Sequence, residues 1–113
     1  RLIWEKINFL NREKKLPVLL TGDFNSRPEE APAQFLSEKM VNARSSSGLV
    51  YGPVKTFNNF SFTTPLKSCI DYIFTTRDAR IKVRKFATIT DSYDLKYPSD
   101  HLPVLADLVI QKK

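Results

Sequence analysis

Asp23 and Asn25 sit two positions apart at the end of a short apolar run, just after Gly22, in the stretch LPVLLTGDFNS at 16–26. In an extended segment, residues at i and i+2 project to the same side, so a carboxylate and a carboxamide could face one ligand while Phe24 packs the other way. Asp and Asn after Gly are equally ordinary turn residues, and the stretch alone supports both readings. Asp71 interrupts a second apolar run, Cys69 to Phe74. A carboxylate there is costly to bury without a partner, unless the strand is an edge and Asp71 faces water. The only histidine, His101, stands next to Asp100 at the entrance to a third apolar run. Three carboxylates, one amide and one imidazole are thus expected at the ends of three strands. An oxygen-rich set suits Mg²⁺, Mn²⁺ or Ca²⁺ better than zinc. A carboxylate beside an imidazole fixes its tautomer and favours its protonated form, which can donate to a phosphoryl oxygen. These are the parts for metal-assisted hydrolysis of a phosphate ester.

The elements that must position these groups can be read from hydrophobic period. Residues 1–15 predict an amphipathic helix, with Ile3, Ile7 and Leu10 at helical spacing and Trp4 beside them. Residues 17–21 predict a strand, and its lack of alternation predicts cover on both faces. Ser26 and Glu29 match a capping box, with a helix beginning near Pro32 and burying Ala33, Phe35, Leu36 and Met40. Residues 45–48 are loop material. In 56–62, Phe60 and Phe62 suit inward packing from a short strand, while Thr56, Phe57 and Asn58 also suit a loop facing a substrate; the role of Asn58 stays open. Residues 69–74, 81–89 and 102–110 predict strands, separated by a turn at Arg77 and Asp78 and by a polar loop with Tyr93 and Tyr97.

Composition bounds the rest. A chain of 113 residues with 42% hydrophobic content is one globular domain at most. No apolar run approaches the roughly 20 residues of a membrane span. The chain starts at Arg1 and not at Met, so targeting segments cannot be judged from it. A net charge of +6, from 18 Lys and Arg against 12 Asp and Glu, favours polyanions, but the excess is scattered. The lone cysteine, Cys69, reads as a core thiol.

The segments GDFN, IDYIF and SDH, in this order, resemble the C-terminal half of the endonuclease/exonuclease/phosphatase superfamily, the deoxyribonuclease I-like proteins. The resemblance covers residues 17 to about 110, and Thr56-Phe57-Asn58 adds a likeness to a substrate-side loop, with Asn59 where Gly is frequent. It implies an α/β (α+β) fold: half of a four-layer sandwich, with one mixed, largely antiparallel sheet and flanking helices. It implies that Asp23 polarises the attacking water, Asn25 bonds a phosphate oxygen, and His101 bonds the scissile phosphate with Asp71 orienting it. Asp100 would contribute to a Mg²⁺ site, with Mn²⁺ as a substitute. The substrate would be a phosphate ester: nucleic acid, phospholipid headgroup or sugar phosphate. The family's N-terminal half supplies a metal-binding Asn, a metal-binding Glu and a second His that have no counterpart here. Residues 1–113 are therefore expected to be a C-terminal half, inactive or nearly so alone, whose partner is the missing half or, through the uncovered sheet face, a second copy. Two other readings compete: a non-catalytic scaffold, opposed by the five retained residues, and a basic nucleic-acid-binding domain, opposed by the lack of an Arg/Lys stripe.

Overall fold

The computed structural model describes residues 1–112. Its elements in chain order are α1 (Leu2–Asn11), β1 (Leu19–Asp23), α2 (Ala31–Lys39), β2 (Val41–Asn42), α3 (Ala43–Ser46), β3 (Leu49–Tyr51), β4 (Asp71–Thr75), β5 (Ile81–Thr88) and β6 (Val104–Ile110). The α/β class and the largely antiparallel pairing are as expected. β4 pairs antiparallel with both β1 and β2, β5 pairs antiparallel with β6, and β3 runs parallel to β5. The expected single sheet is instead two three-stranded ladders, β1-β4-β2 and β3-β5-β6. β4 and β6 lie side by side without a ladder between them. That division depends on long-range register, which hydrophobic period does not carry.

β4 is the element on which the two ladders meet. Four consecutive residues of it, Tyr72 to Thr75, are buried. Tyr72 and Phe74 pack with Ala33, Leu36 and Met40 in one apolar cluster, while Ile73 packs with Ala43, Val83 and Phe86 in another. Alternate residues serve opposite faces, so a strand covered on both sides is apolar throughout. Each such side chain contributes roughly 1.5–3 kcal/mol by leaving water. Phe24 stacks on Tyr72 at 5.6 Å, confirming that it packs into the core.

β1 differs from expectation. The strand starts two residues later than predicted and is an edge, paired on one side only, with Leu20 its packed side chain. Helix α1 ends at Asn11 rather than near residue 15, because the Asn11 side chain closes it. Its Nδ2 donates to the Leu16 carbonyl (2.8 Å), and its Oδ1 accepts the Leu16 N–H (2.7 Å). Only Trp4 and Ile7 of the predicted stripe pack on the core; Ile3 and Leu10 are exposed, with Leu2 and Phe9 beside them in sequence. Helix α2 buries Ala33, Leu36 and the following Met40, with Phe35 half-buried. Its cap is not the predicted box: Ser26 Oγ accepts the Ala33 N–H (3.1 Å), and Glu30, not Glu29, accepts the Arg27 N–H (2.8 Å).

Candidate active site

Asp23, the last residue of β1, lies directly opposite Asp71, the first residue of β4, in the antiparallel register. One end of one ladder therefore presents both carboxylates. Asp71 does not interrupt its strand; it opens it, where backbone pairing and side-chain donors are both within reach. The segment 99–101 brings Asp100 and His101 to the same place just ahead of β6. It is fastened by the segment 56–58, which forms an isolated antiparallel bridge between Phe57 and His101. On one side of that bridge Leu102 N–H donates to the Thr56 carbonyl (2.7 Å), and on the other Asn58 N–H donates to the Asp100 carbonyl (2.8 Å).

The imidazole of His101 is the hub. Its Nδ1 lies 2.8 Å from Asp71 Oδ2, and a carboxylate can only accept, so Nδ1 carries a proton and donates. Its Nε2 faces Asp23 Oδ2 at 3.7 Å and Asp100 Oδ1 at 3.9 Å. The Phe57 ring meets the imidazole edge-on at 5.3 Å. The bond to Asp71 raises the His101 pKa, the charges of Asp71, Asp23 and Asp100 add to the rise, and burial opposes it. The rise widens the pH range over which the ring is protonated and Nε2–H can donate to an incoming group. His101 is partly buried and Asp71 more so, while Asp23 and Asp100 are more open to solvent.

Asn25 is placed differently from the prediction. β1 ends at Asp23, and Asn25 takes a left-handed backbone (φ 47°), so the same-side rule for an extended chain does not apply. Instead Asn25 N–H donates to Asp23 Oδ1 at 2.8 Å, a side-chain-closed turn that fixes the Asp23 carboxylate and leaves the Asn25 amide exposed. The turn reading is thus realised, with the Asp23 carboxylate at the ladder end beside Asp71 and His101. Tyr72 supports this turn from beneath: its buried hydroxyl donates to the Ser26 carbonyl (2.6 Å).

An open cavity of about 480 Å³ lies between the two ladders, and its walls include Asp23, Asp71 and His101 together with Ile73, Leu102 and Val104. The carboxylate oxygens of Asp23 and Asp71 and a ring nitrogen of His101 lie within 4.8 Å of one another, close enough to share a cation. Asp71 Oδ2 and His101 Nδ1 are already engaged with each other. Asp23 and Asp100 are therefore the freer oxygen donors, of the kind a hard divalent ion prefers.

The sequence did not show which donor Asp71 would find. Thr56 and Asn58, read there as candidate substrate-facing groups, are 1% and 2% exposed. Thr56 Oγ1 donates to Asp71 Oδ2 at 2.6 Å, and Asn58 Nδ2 donates to the Ser99 carbonyl at 3.0 Å. A buried Asp requires donors, but nothing in the one-dimensional pattern says which loop returns to supply them. Cys69 is half-buried against the first core cluster, and burial pushes its thiol pKa up, as suits a packing residue.

Comparison with known proteins agrees with this geometry. The sequence profile of the Endonuclease/Exonuclease/phosphatase family matches residues 1–101. The chain is 30% identical to the CCR4-Not complex 3'-5'-exoribonuclease subunit Ccr4 of Saccharomyces cerevisiae, over 93% of this chain and 16% of that protein. It superposes on a mannosyl-6-phosphatase from Bacteroides thetaiotaomicron with a TM-score of 0.88 at 33% identity, covering 96% of this chain and 43% of the other. A second family protein from the same organism gives a TM-score of 0.88 at 32% identity, covering 99% and 44%. The chain thus spans less than half the length of these solved relatives. Profile, fold and the meeting of Asp23, Asp71 and His101 at one ladder end place the chain in the endonuclease/exonuclease/phosphatase family.

Proposed function

We propose that these residues form the water-activating and phosphate-binding part of a divalent-metal-dependent phosphoesterase. The observation that carries the reading is the hydrogen-bonded pair of Asp71 and His101, with Nδ1 bound at 2.8 Å and Nε2 turned toward Asp23 at 3.7 Å. In this reading Asp23 holds a water molecule and takes a proton from it as the water oxygen bonds to phosphorus and the ester P–O bond breaks, the departing alkoxide taking its proton from solvent. His101 donates through Nε2–H to a phosphoryl oxygen, where negative charge gathers in the transition state. Asp71 keeps the imidazole in that orientation and stabilises its positive charge. Asn25, its amide free and exposed, donates to a second phosphoryl oxygen. Asp100, with Asp23 nearby, would hold Mg²⁺ or Mn²⁺, which when bound neutralises phosphate charge and lowers the pKa of a bound water. Loss of one such donor typically costs on the order of 100- to 1,000-fold in rate.

The reading extends to organisation. Leu2, Ile3 and Leu10 of α1, Leu19 of β1 and Leu105 and Val109 of β6 are exposed apolar side chains that a further half of the domain would cover. We assign these 113 residues to the C-terminal half of the family domain, a reading supported by their coverage of 43% and 44% of the solved relatives. The test is hydrolysis of bis-p-nitrophenyl phosphate with Mg²⁺ or Mn²⁺ and an EDTA control. The 113 residues alone should stay near background, and a polypeptide extended upstream should be active and lose roughly 100-fold or more in Asp23→Asn and His101→Gln. Robust EDTA-sensitive turnover by the shorter chain would refute the division into halves. An extended protein indifferent to both substitutions would refute the site. Running RNA and mannose 6-phosphate alongside would separate nuclease from sugar phosphatase.

A further inference from the structure

We propose that Thr56 is a positioning residue that fixes the carboxylate of Asp71 and, through it, the tautomer and orientation of His101. The inference rests on the reading of Asp71 and His101 as a working pair, and it gives Thr56 a different role from the substrate-side one that the loop's resemblance implies.

The hydroxyl of Thr56 has a single way to be satisfied. It is 1% exposed, so water does not compete for it. Its oxygen accepts the Ile70 N–H at 3.2 Å, which directs the hydroxyl proton elsewhere. The short partner is Asp71 Oδ2 at 2.6 Å, against 3.4 Å for the Ser68 carbonyl. The accepting atom is the same Oδ2 that receives His101 Nδ1–H at 2.8 Å. Two donors therefore converge on one oxygen from opposite partners, and a carboxylate pinned in this way cannot rotate about χ2 without breaking a charge-assisted bond.

The backbone of the same segment sets the other side of the pair. Thr56 accepts from Leu102 N–H at 2.7 Å, and Thr56 N–H donates to the Ser68 carbonyl at 2.7 Å. One residue thus holds the residue after His101 with its carbonyl, the approach to β4 with its amide, and Asp71 with its side chain. The segment 56–58 is a template that spaces the carboxylate from the imidazole, rather than a surface turned toward substrate.

The chain's single histidine makes the idea directly observable. Long-range ¹H–¹⁵N spectra of histidine-labelled protein report which ring nitrogen carries the proton in the neutral imidazole. The wild type should show the Nδ1–H form almost exclusively. Thr56→Ser, which keeps the hydroxyl, should retain it. Thr56→Val, nearly isosteric without the donor, should lower the Nδ1–H to Nε2–H ratio by roughly fivefold or more, the equivalent of one ordinary hydrogen bond. A purely structural contact would lower the melting temperature of the valine variant without moving this ratio, and that result overturns the proposal. If the valine variant does not fold, the wild type still decides. A slowly exchanging Thr56 hydroxyl proton, with an H₂O/D₂O isotope shift on the Asp71 carboxylate carbon, supports the bond, and absence of both refutes it. Neither readout depends on catalysis, so loss of the hydrolase reading and loss of this one are distinguishable.

Discussion

Replacing Asp71 by Asn separates what the carboxylate does for the fold from what it does for chemistry. Both donors to Asp71 converge on Oδ2, Thr56 at 2.6 Å and His101 at 2.8 Å, while no hydrogen bond is made to Oδ1 among the described residues. An Asn with its oxygen in the Oδ2 position keeps both bonds and leaves its NH₂ where no donor competes. Stability should then fall by less than about 1 kcal/mol. Asp71→Ala removes the acceptor altogether and strands a Thr56 hydroxyl that is 1% exposed, at about 1–3 kcal/mol. His101 loses a partner too, but it is open enough for water to replace it. For a domain of this size that is a drop of roughly 5–15 °C in melting temperature. Activity does not follow stability, because both variants lack the carboxylate's charge. The Asn variant keeps shape but loses the negative charge that stabilises imidazolium. Charge assistance is worth on the order of 1–1.5 kcal/mol here, about tenfold in rate, and a wrong tautomer takes the loss toward about 10⁴. Differential scanning calorimetry, His101 titration by NMR and turnover in the extended protein measure the three consequences. An Asn variant that melts as low as the Ala variant, or whose His101 titrates as in the wild type, would show that the pairing is not organised as described.

Two further expectations concern protons and metal. His101 has its pKa raised in the fold above the ordinary 6.5, first by the bond to Asp71, so the folded state binds the proton more tightly than the unfolded one. The stabilisation is fully present below the unfolded value and is lost as pH rises through the raised value. Urea unfolding from about pH 5.5 to about 8.5 should show that decline in the wild type and a flatter profile in His101→Gln; parallel profiles would contradict it. Divalent cation should stabilise the chain even without turnover: about 10 mM Mg²⁺ over a dissociation constant near 1 mM corresponds to roughly 1.4 kcal/mol, a shift of several degrees. Asp100→Asn should remove most of that shift, and an unchanged shift would exclude Asp100 as a ligand.

How much of this was legible in the sequence follows from which interactions are local. Asp71 stood out because a carboxylate in an apolar run demands a partner, and His101 because it is the single imidazole beside a strand entrance. Both inferences use only residue type and neighbours, and the structure brings the two into contact. The core face of α2 was legible for the same reason, since helical period is a short-range property. Where competing bonds decide, period fails. Asn11 ends α1 early by bonding Leu16, and Ser26 caps a residue seven positions away instead of three. The division into two ladders was not legible, because which strand pairs with which depends on segments far apart in the chain. Thr56 was noticed, but facing a substrate was only one of two competing readings of its segment, and neither paired it with Asp71. A polar and aromatic triplet in a loop reads as exposed, and only the return of 99–102 across it buries the threonine.

The charge in the site argues for the cation independently of any resemblance. Three carboxylates, Asp23, Asp71 and Asp100, surround one imidazole, so even with His101 protonated the cluster carries a formal charge of −2. A phosphate ester is itself an anion. Bringing it to Nε2 means passing Asp23 and Asp100, which flank that nitrogen at 3.7 and 3.9 Å. A phosphate oxygen brought to about 4 Å from either carboxylate would be repelled by roughly 4 kcal/mol at an effective dielectric of about 20, reduced where solvent screens these partly exposed side chains. One hydrogen bond from an imidazolium does not offset that. The chain's net charge of +6 does not help either, because the positive residues are scattered while the carboxylates are gathered. A divalent ion between the outer carboxylates would cancel the formal charge and turn a repulsive pocket into one that holds an anion. The same reasoning explains why Asp71 is the carboxylate placed behind the ring and tied to Thr56. Its charge is spent on the imidazole, leaving Asp23 and Asp100 as the pair whose charge a bound ion would balance.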